Sequence, residues 1–186
     1  MNNPKQKHDH LIFKFEHLQL IYNDPRRFGF IDIAQSDNVN NIRYINKLGI
    51  DALDKNLSVE YLFQKFHKSH VAIKQLLLNQ HIVAGIGNIY ASEILFDAKI
   101  SPIRKGSSLQ KYHIETIIKS IRKILRKAIK YGGSSINDYV APDGTLGNFQ
   151  NNFKVYGREG YKNKGCKIKK QILYGRSTFF CPELQK

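Results

Sequence analysis

The sequence predicts an α+β protein. Short alternating apolar runs fill residues 10–33, helical periodicity extends from about residue 58 to residue 131, and a basic β-hairpin pattern closes the chain. At 186 residues the chain amounts to one or two small domains and is long enough to bury a sizeable core. Met1-Asn2-Asn3-Pro4-Lys5-Gln6-Lys7 has no apolar centre, so no signal peptide is expected. No apolar run approaches the ~18 residues of a membrane span. Two cysteines and no export signal point to a reducing cytosol.

Taken in order, His10–Glu16 alternates, with Leu11, Phe13 and Phe15 on one face of a strand. Leu18–Tyr22 reads as a second strand, Asn23-Asp24-Pro25 as a turn, and Phe28–Ile33 as a third strand. Three short strands form a thin sheet that needs a partner layer. Residues 34–56 read as a polar connector. Ser58 is placed to cap a helix running to about His67, and a second helix covers Val71 to about Asn79. A third starts at Asn88 and ends near Ala98. The fourth, from about Ser108 to Tyr131, carries an apolar stripe through Ile114, Ile117, Ile118, Ile121, Ile124, Leu125, Ala128 and Ile129 and stops at Gly132-Gly133. A stripe this regular is core. Ser134–Gln150 reads as loop with a Pro142-Asp143-Gly144 turn, and Gln171–Cys181 as a hairpin with basic residues around its turn.

The formal net charge is +15, and it is concentrated. Residues 99–131 hold ten Lys/Arg against Glu115 alone, and residues 154–186 hold nine against Glu159 and Glu183. Two basic regions beside a near-neutral remainder point to a polyanion, with a merely solvated Lys-rich surface as the alternative. Ahead of both basic regions lies Gly85-Ile86-Gly87-Asn88, a glycine turn opening into a helix. The first N–H groups of a helix lack internal partners, and its dipole makes that end positive, which suits a phosphate. Gly85 and Gly87 can take φ > 0 and let another backbone come close. Asn88 sits where a side chain could cap the helix, bind a phosphate oxygen, or do both.

Four pieces follow one another along the chain. They are Lys7-His8-Asp9-His10, then Asn23-Asp24-Pro25-Arg26-Arg27-Phe28-Gly29, then Gly85–Glu93, and finally Val155-Tyr156-Gly157-Arg158 followed by Gly175-Arg176-Ser177-Thr178-Phe179-Phe180-Cys181-Pro182. As an ordered set they resemble the formamidopyrimidine-DNA glycosylase family, bacterial enzymes that excise oxidised purines such as 8-oxoguanine and then cut the abasic strand. The resemblance implies remnant β-sandwich strands over residues 1–53, a helix-two-turn-helix domain over 54–133 and a zinc-finger-type hairpin over 134–186. It implies that Arg26 and Phe28 fill the gap left by a flipped base, with Phe28 wedged between bases. It implies that Asn88, Tyr156 and Arg176 hold backbone phosphates, and that Arg176 assists the later elimination step. His8 matches a DNA-contacting histidine. A further DNA-contacting lysine of the family falls at Ser69, where Lys68 is the nearest substitute.

The chain departs from the family in two places. The family's nucleophile is an N-terminal proline followed by Glu, whose amine attacks the sugar C1′. Here the chain opens close to the His-Asp-His segment, and Pro4 is internal, so its nitrogen is an amide. The resemblance also implies zinc held by two Cys-x-x-Cys pairs. Here the first pair reads Asn163…Cys166 and the second Cys181…Leu184. Two ligands do not hold a structural zinc, so no cofactor is expected and Cys166 and Cys181 are expected to be free thiols.

The expectation is the damaged-DNA-binding portion of such a base-excision-repair enzyme, truncated at its N-terminus and inactive alone. Its partner would be double-stranded DNA with oxidised-purine or abasic lesions, in the bacterial cytoplasm beside the nucleoid, with no membrane association. Two alternatives stay open: an active glycosylase/lyase completed by a separate N-terminal fragment, and a nonspecific basic nucleic-acid-binding protein. Half a sandwich also exposes apolar faces, so aggregation or a need for a partner is expected.

Overall fold

The computed structural model describes residues 5–135, 145–163 and 165–186. Pro4 and the expected Pro142-Asp143-Gly144 turn lie outside them. The chain divides into two compact units, Met1–Ile42 and Arg43–Lys186. Among the described residues no helix is long and apolar enough to cross a membrane.

The first unit is built on β1 (Asp9–Lys14) and β2 (Gln19–Asn23), paired antiparallel with Leu11 opposite Tyr22 and Phe13 opposite Leu20. The third strand expected at residues 28–33 is not formed. A strand persists where a neighbour completes its hydrogen-bond ladder, and within this unit the described sheet stops at two strands. The alternation is real, but its apolar side chains stay open: Leu18 is 60% exposed and Leu20 58%. The polar connector contains a 3-10 helix at Ser36–Asn41 where only loop was expected.

The second unit opens with α1 (Arg43–Asn46) and β3 (Ile50–Asp51). Then come α2 (Val59–Phe66), α3 (Ile73–Leu78), β4 (Val83–Ala84), α4 (Asn88–Asp97) and α5 (Lys111–Lys130). Strands β3 and β4 pair in parallel across the α2–α3 hairpin. Helix α2 starts where the sequence placed it, with the Tyr61 N–H donating to Ser58 Oγ at 3.2 Å. Helix α5 begins three residues late. Gly106–Ser108 is a 3-10 turn, and Gln110 caps the helix in a reciprocal exchange with His113. The predicted stripe on α5 is the core face except at its last residue: Ile114, Ile117 and Ile121 are fully buried in one cluster with Leu62 and Phe66 of α2 and Ile94 and Leu95 of α4, whereas Ile129, in the last turn, is 66% exposed. Asp97 of α4 clamps α5 by accepting from Ser120 Oγ at 2.8 Å and Lys123 Nζ at 2.6 Å.

Four short strands complete the unit: β5 (Lys162–Asn163), β6 (Cys166–Lys167), β7 (Lys169–Leu173) and β8 (Arg176–Phe180). The β7–β8 hairpin turns at Tyr174 and Gly175, with φ of 48° and 73°. That pair of positive φ values makes a turn whose twist matches the flanking strands.

Two polar groups fasten this hairpin module to the helices. The Glu93 carboxylate of α4 is 2% exposed. It accepts the backbone N–H groups of Lys154 (2.8 Å), Val155 (2.9 Å) and Tyr156 (2.9 Å). At the other end, buried Gln185 accepts from the Cys181 N–H and donates to the Ile100 carbonyl. Removing the Glu93 side chain leaves three N–H groups unpaired around a void. Glu93→Ala is therefore expected to lower unfolding free energy by about 3 kcal/mol or more, as measured by urea denaturation.

Candidate nucleic-acid interface

In the second unit the site forms where β8 packs on the start of α4. Gly85 takes φ of +90°, and the Gln80 side chain pins the turn by accepting from the Gly85 N–H and donating to the Ile86 carbonyl. Gly87 does not use the left-handed freedom open to a glycine and is extended at φ −101°. A Cβ built at Gly87 would meet nothing within 4 Å, so the space at the helix N-terminus is open. Gly87 is the cap residue and Asn88 the first residue of the helix.

Asn88 does not cap the helix. Its Nδ2 donates to the Ser177 carbonyl at 3.0 Å and to Tyr156 Oη at 3.4 Å. Its Oδ1 is buried without a hydrogen-bond partner among the described residues. A buried polar atom left in this state marks a side chain that is only half satisfied. The Tyr156 ring is fixed edge-on against Phe179 and Phe153, with centroids 5.0 and 5.9 Å away. Arg176, the residue before Ser177, is exposed at the start of β8. The fold thus brings Asn88, Tyr156 and the backbone beside Arg176 into one hydrogen-bonded cluster. Lys68 is exposed beyond the end of α2 and is not part of it.

The first unit holds the other predicted residues. The Arg26 guanidinium lies over the Phe28 ring, 4.6 Å from its centroid, and Phe28 is 78% exposed. Both are organised by Asp24. One carboxylate oxygen accepts from the Arg26 and Arg27 N–H groups at 3.1 and 2.9 Å. The other accepts from the Gly29 N–H at 2.7 Å and Tyr22 Oη at 3.0 Å. The Gly29 N–H is the largest influence holding the Asp24 carboxyl below its usual range, and burial opposes it. His8, half-buried at φ 81°, accepts the Asp24 N–H through its carbonyl at 3.1 Å. A positive φ in a non-glycine residue is uncommon, and here it aims the chain into β1.

The zinc implied by the resemblance does not fit the residues present. Cys166 and Cys181 are joined as a disulfide, with Cα atoms 5.9 Å apart, and are not the free thiols expected. The hairpin brings the two together inside an apolar cluster with Val155, Ile168 and Phe179. At the other two ligand positions, the Asn163 amide donates to the Lys154 carbonyl and Leu184 packs on that cluster. Among the described residues no three His, Cys, Asp or Glu side chains are grouped to hold a metal.

Sequence reasoning gave no role to Glu93, Asp24 or Lys74. Lys74 of α3 is 2% exposed and donates from Nζ to the Ser177 carbonyl at 3.0 Å and Thr178 Oγ1 at 2.7 Å. One signal was present: an acid among Ala91, Ile94 and Leu95, and a lysine among Ile73, Leu76 and Leu77, are charges inside apolar runs.

Residues 48–140 match the formamidopyrimidine-DNA glycosylase H2TH domain family. Among similar proteins, the formamidopyrimidine-DNA glycosylase of Zymomonas mobilis is 43% identical over 99% of this chain and 70% of its own length. That of Roseobacter denitrificans is 40% identical over 97% of this chain and 66% of its own length. The chain thus spans about two thirds of the curated relatives it matches. Lactococcus lactis Fpg, solved in complex with DNA containing an abasic site, superimposes with a TM-score of 0.92 at 41% identity, covering 100% of this chain and 69% of its own. MutM (Fpg) of Thermus thermophilus superimposes with a TM-score of 0.88 at 35% identity, over 98% and 70%.

Two outcomes follow from the site's geometry. Asp24 has a depressed folded-state pKa, so its contribution is present at neutral pH and is lost as pH falls through that lowered value. The Gly29 amide resonance is expected to keep its bonded shift as pH falls past the ordinary carboxyl range, and to move at neutral pH in Asp24→Ala. Prolonged chelation with EDTA is expected to leave the melting temperature unchanged, because Cys166 and Cys181 are joined to each other and the other two ligand positions hold Asn163 and Leu184.

Proposed function

We propose that this chain, which belongs to the formamidopyrimidine-DNA glycosylase family, is the part of such an enzyme that grips damaged double-stranded DNA. The observation that carries the reading is the cluster at the open start of α4, where Asn88, Tyr156 and the β8 backbone next to exposed Arg176 converge. Donors and a cation around a bare helix N-terminus suit a phosphate. Arg26 stacked on an exposed Phe28 suits insertion into a base stack that has lost one nucleotide. The relative from Lactococcus lactis was captured on DNA with an abasic site, which is the ligand class we assign here.

In this reading residues 1–53, 54–133 and 134–186 act as sandwich strands, helical DNA-binding domain and hairpin. His8 and Lys68 add phosphate contacts, Arg176 assists elimination in the assembled enzyme, and the hairpin works without zinc. The protein works in the cytoplasm beside the nucleoid. No described residue matches the family's proline nucleophile, and the chain alone is expected to leave the glycosidic bond intact.

A second reading has its own observation. The β1–β2 sheet leaves Leu11, Phe15, Leu18 and Leu20 roughly half exposed or more, an apolar face that a separately made fragment could cover to complete an active glycosylase/lyase.

Fluorescence anisotropy with duplexes that differ only by one abasic-site analogue tests the grip. Preferential binding to the lesion is expected, with a steep loss of affinity as salt rises. Phe28→Ala and Arg26→Ala are each expected to remove about a tenfold share of the lesion preference. Equal binding to both duplexes, indifferent to these substitutions, would show a nonspecific basic protein instead. Borohydride trapping on an 8-oxoguanine duplex is expected to give no covalent adduct with this chain alone, and an adduct would overturn the assignment of inactivity.

A further inference from the structure

The Ser177 carbonyl receives two donors from two helices: Asn88 Nδ2 of α4 and Lys74 Nζ of α3, each at 3.0 Å. A carbonyl has two lone pairs, so both are filled. Lys74 is buried, and its bonded partners, Ser177 and Thr178, are neutral. Buried ammonium groups are ordinarily paired with carboxylates. The nearby acids are otherwise engaged. Glu93 of α4 is spent on the backbone of residues 154–156, and Asp97 of α4 on Ser120 and Lys123. Arg104, whose carbonyl accepts the Ile73 N–H, sends its guanidinium to Ser108 and the Lys186 carbonyl. Arg176 of β8 adds a second positive charge that acts on Lys74. Among the described residues no carboxylate is bonded to this buried cation, which shares the Ser177 carbonyl with Asn88. A simple tether would not need it, since an apolar residue of the same length holds buried positions at least as well.

We propose that Lys74 is a positioning residue of the phosphate grip: it keeps the Ser177 carbonyl satisfied when the Asn88 amide turns to a DNA phosphate, and its buried ammonium draws that phosphate from behind. The proposal rests on the DNA-gripping reading above. Without Lys74, releasing Asn88 would orphan a buried carbonyl, which costs free energy at the moment of binding. With it, the exchange leaves Ser177 bonded throughout.

Protonation gives the role a signature. Burial, and then the Arg176 charge, lowers the Lys74 pKa from 10.5 to about 8. A phosphate arriving beside it raises that value, so DNA binding near pH 8 takes up a proton, and affinity falls as pH rises through this range. Stability runs the other way. The folded-state value lies below the unfolded one, so the unfolded chain binds more protons between about pH 8 and 10.5, and this group makes folding more favourable as pH rises across that window. A tether alone would not couple DNA affinity to pH with a sign opposite to stability.

The test uses the whole chain and a duplex bearing a tetrahydrofuran abasic analogue. Calorimetry at pH 8 in two buffers of different ionisation enthalpy is expected to show proton uptake of a fraction of one proton per complex. Anisotropy is expected to show affinity falling roughly tenfold between about pH 7 and 9.5. Lys74→Met is expected to weaken binding at pH 7 by about tenfold or more, to flatten the pH profile, and to leave the melting temperature unchanged or higher. Wild-type binding without proton uptake overturns the inference, as does wild-type affinity and pH profile in Lys74→Met. If that variant does not fold, the wild-type calorimetry decides alone. Absence of any wild-type binding overturns the DNA-gripping reading itself, and so is distinguishable from failure of the Lys74 role.

Discussion

A carboxylate that forms no salt bridge among the described residues lies at the join between the helices and the C-terminal hairpin. Glu93 is buried in α4 and is satisfied by three consecutive backbone N–H groups, those of residues 154–156. Backbone donors have fixed directions, so three of them converging on one side chain set the path of the chain as well as its distance. Lys154 to Tyr156 cannot shift along α4 without losing all three bonds together. Everything in the cluster depends on this constraint. It places the Tyr156 ring against Phe179, which fixes β8, and β8 carries Ser177 to Asn88 and Lys74.

The hairpin is held at both ends and along its side. Gln185 joins its base to the loop after α4, the Cys166–Cys181 bond closes its interior, and Lys74 reaches its turn-proximal strand. At the four positions where the resemblance implies metal ligands, this chain has a Cys166–Cys181 disulfide, an amide-to-carbonyl bond from Asn163 and apolar packing at Leu184. The hairpin geometry therefore rests on many weak contacts and one covalent bond.

The first unit obeys the same logic on a smaller scale. A single carboxylate, Asp24, collects the N–H groups of Arg26, Arg27 and Gly29 and the Tyr22 hydroxyl. That network shapes a turn whose tip presents Arg26 over Phe28. The flanking sheet is less complete. Two strands expose the apolar face that a third strand and a second layer would otherwise cover, and Phe28–Ile33 stays irregular.

Much of this was legible locally. The α5 stripe, the Ser58 cap, the glycine turn before α4 and the Tyr174-Gly175 hairpin are encoded within a few residues, because helix and turn preferences act over three or four positions. The ordered motifs also singled out Asn88, Tyr156 and Arg176, and the structure bonds Asn88 to Tyr156 and to the carbonyl of Ser177, the residue after Arg176. The sequence by itself could not say what those residues touch. Glu93 and its N–H partners are 61–63 residues apart, and Lys74 and Thr178 are 104 apart. No period or propensity spans such gaps. Only the tertiary structure decided that an acid and a lysine inside apolar runs are bonded, that two cysteines meet, that Gly87 is extended, and that a strand-like stretch stays irregular. Each of these outcomes depends on which distant groups the packed helices bring within hydrogen-bonding distance.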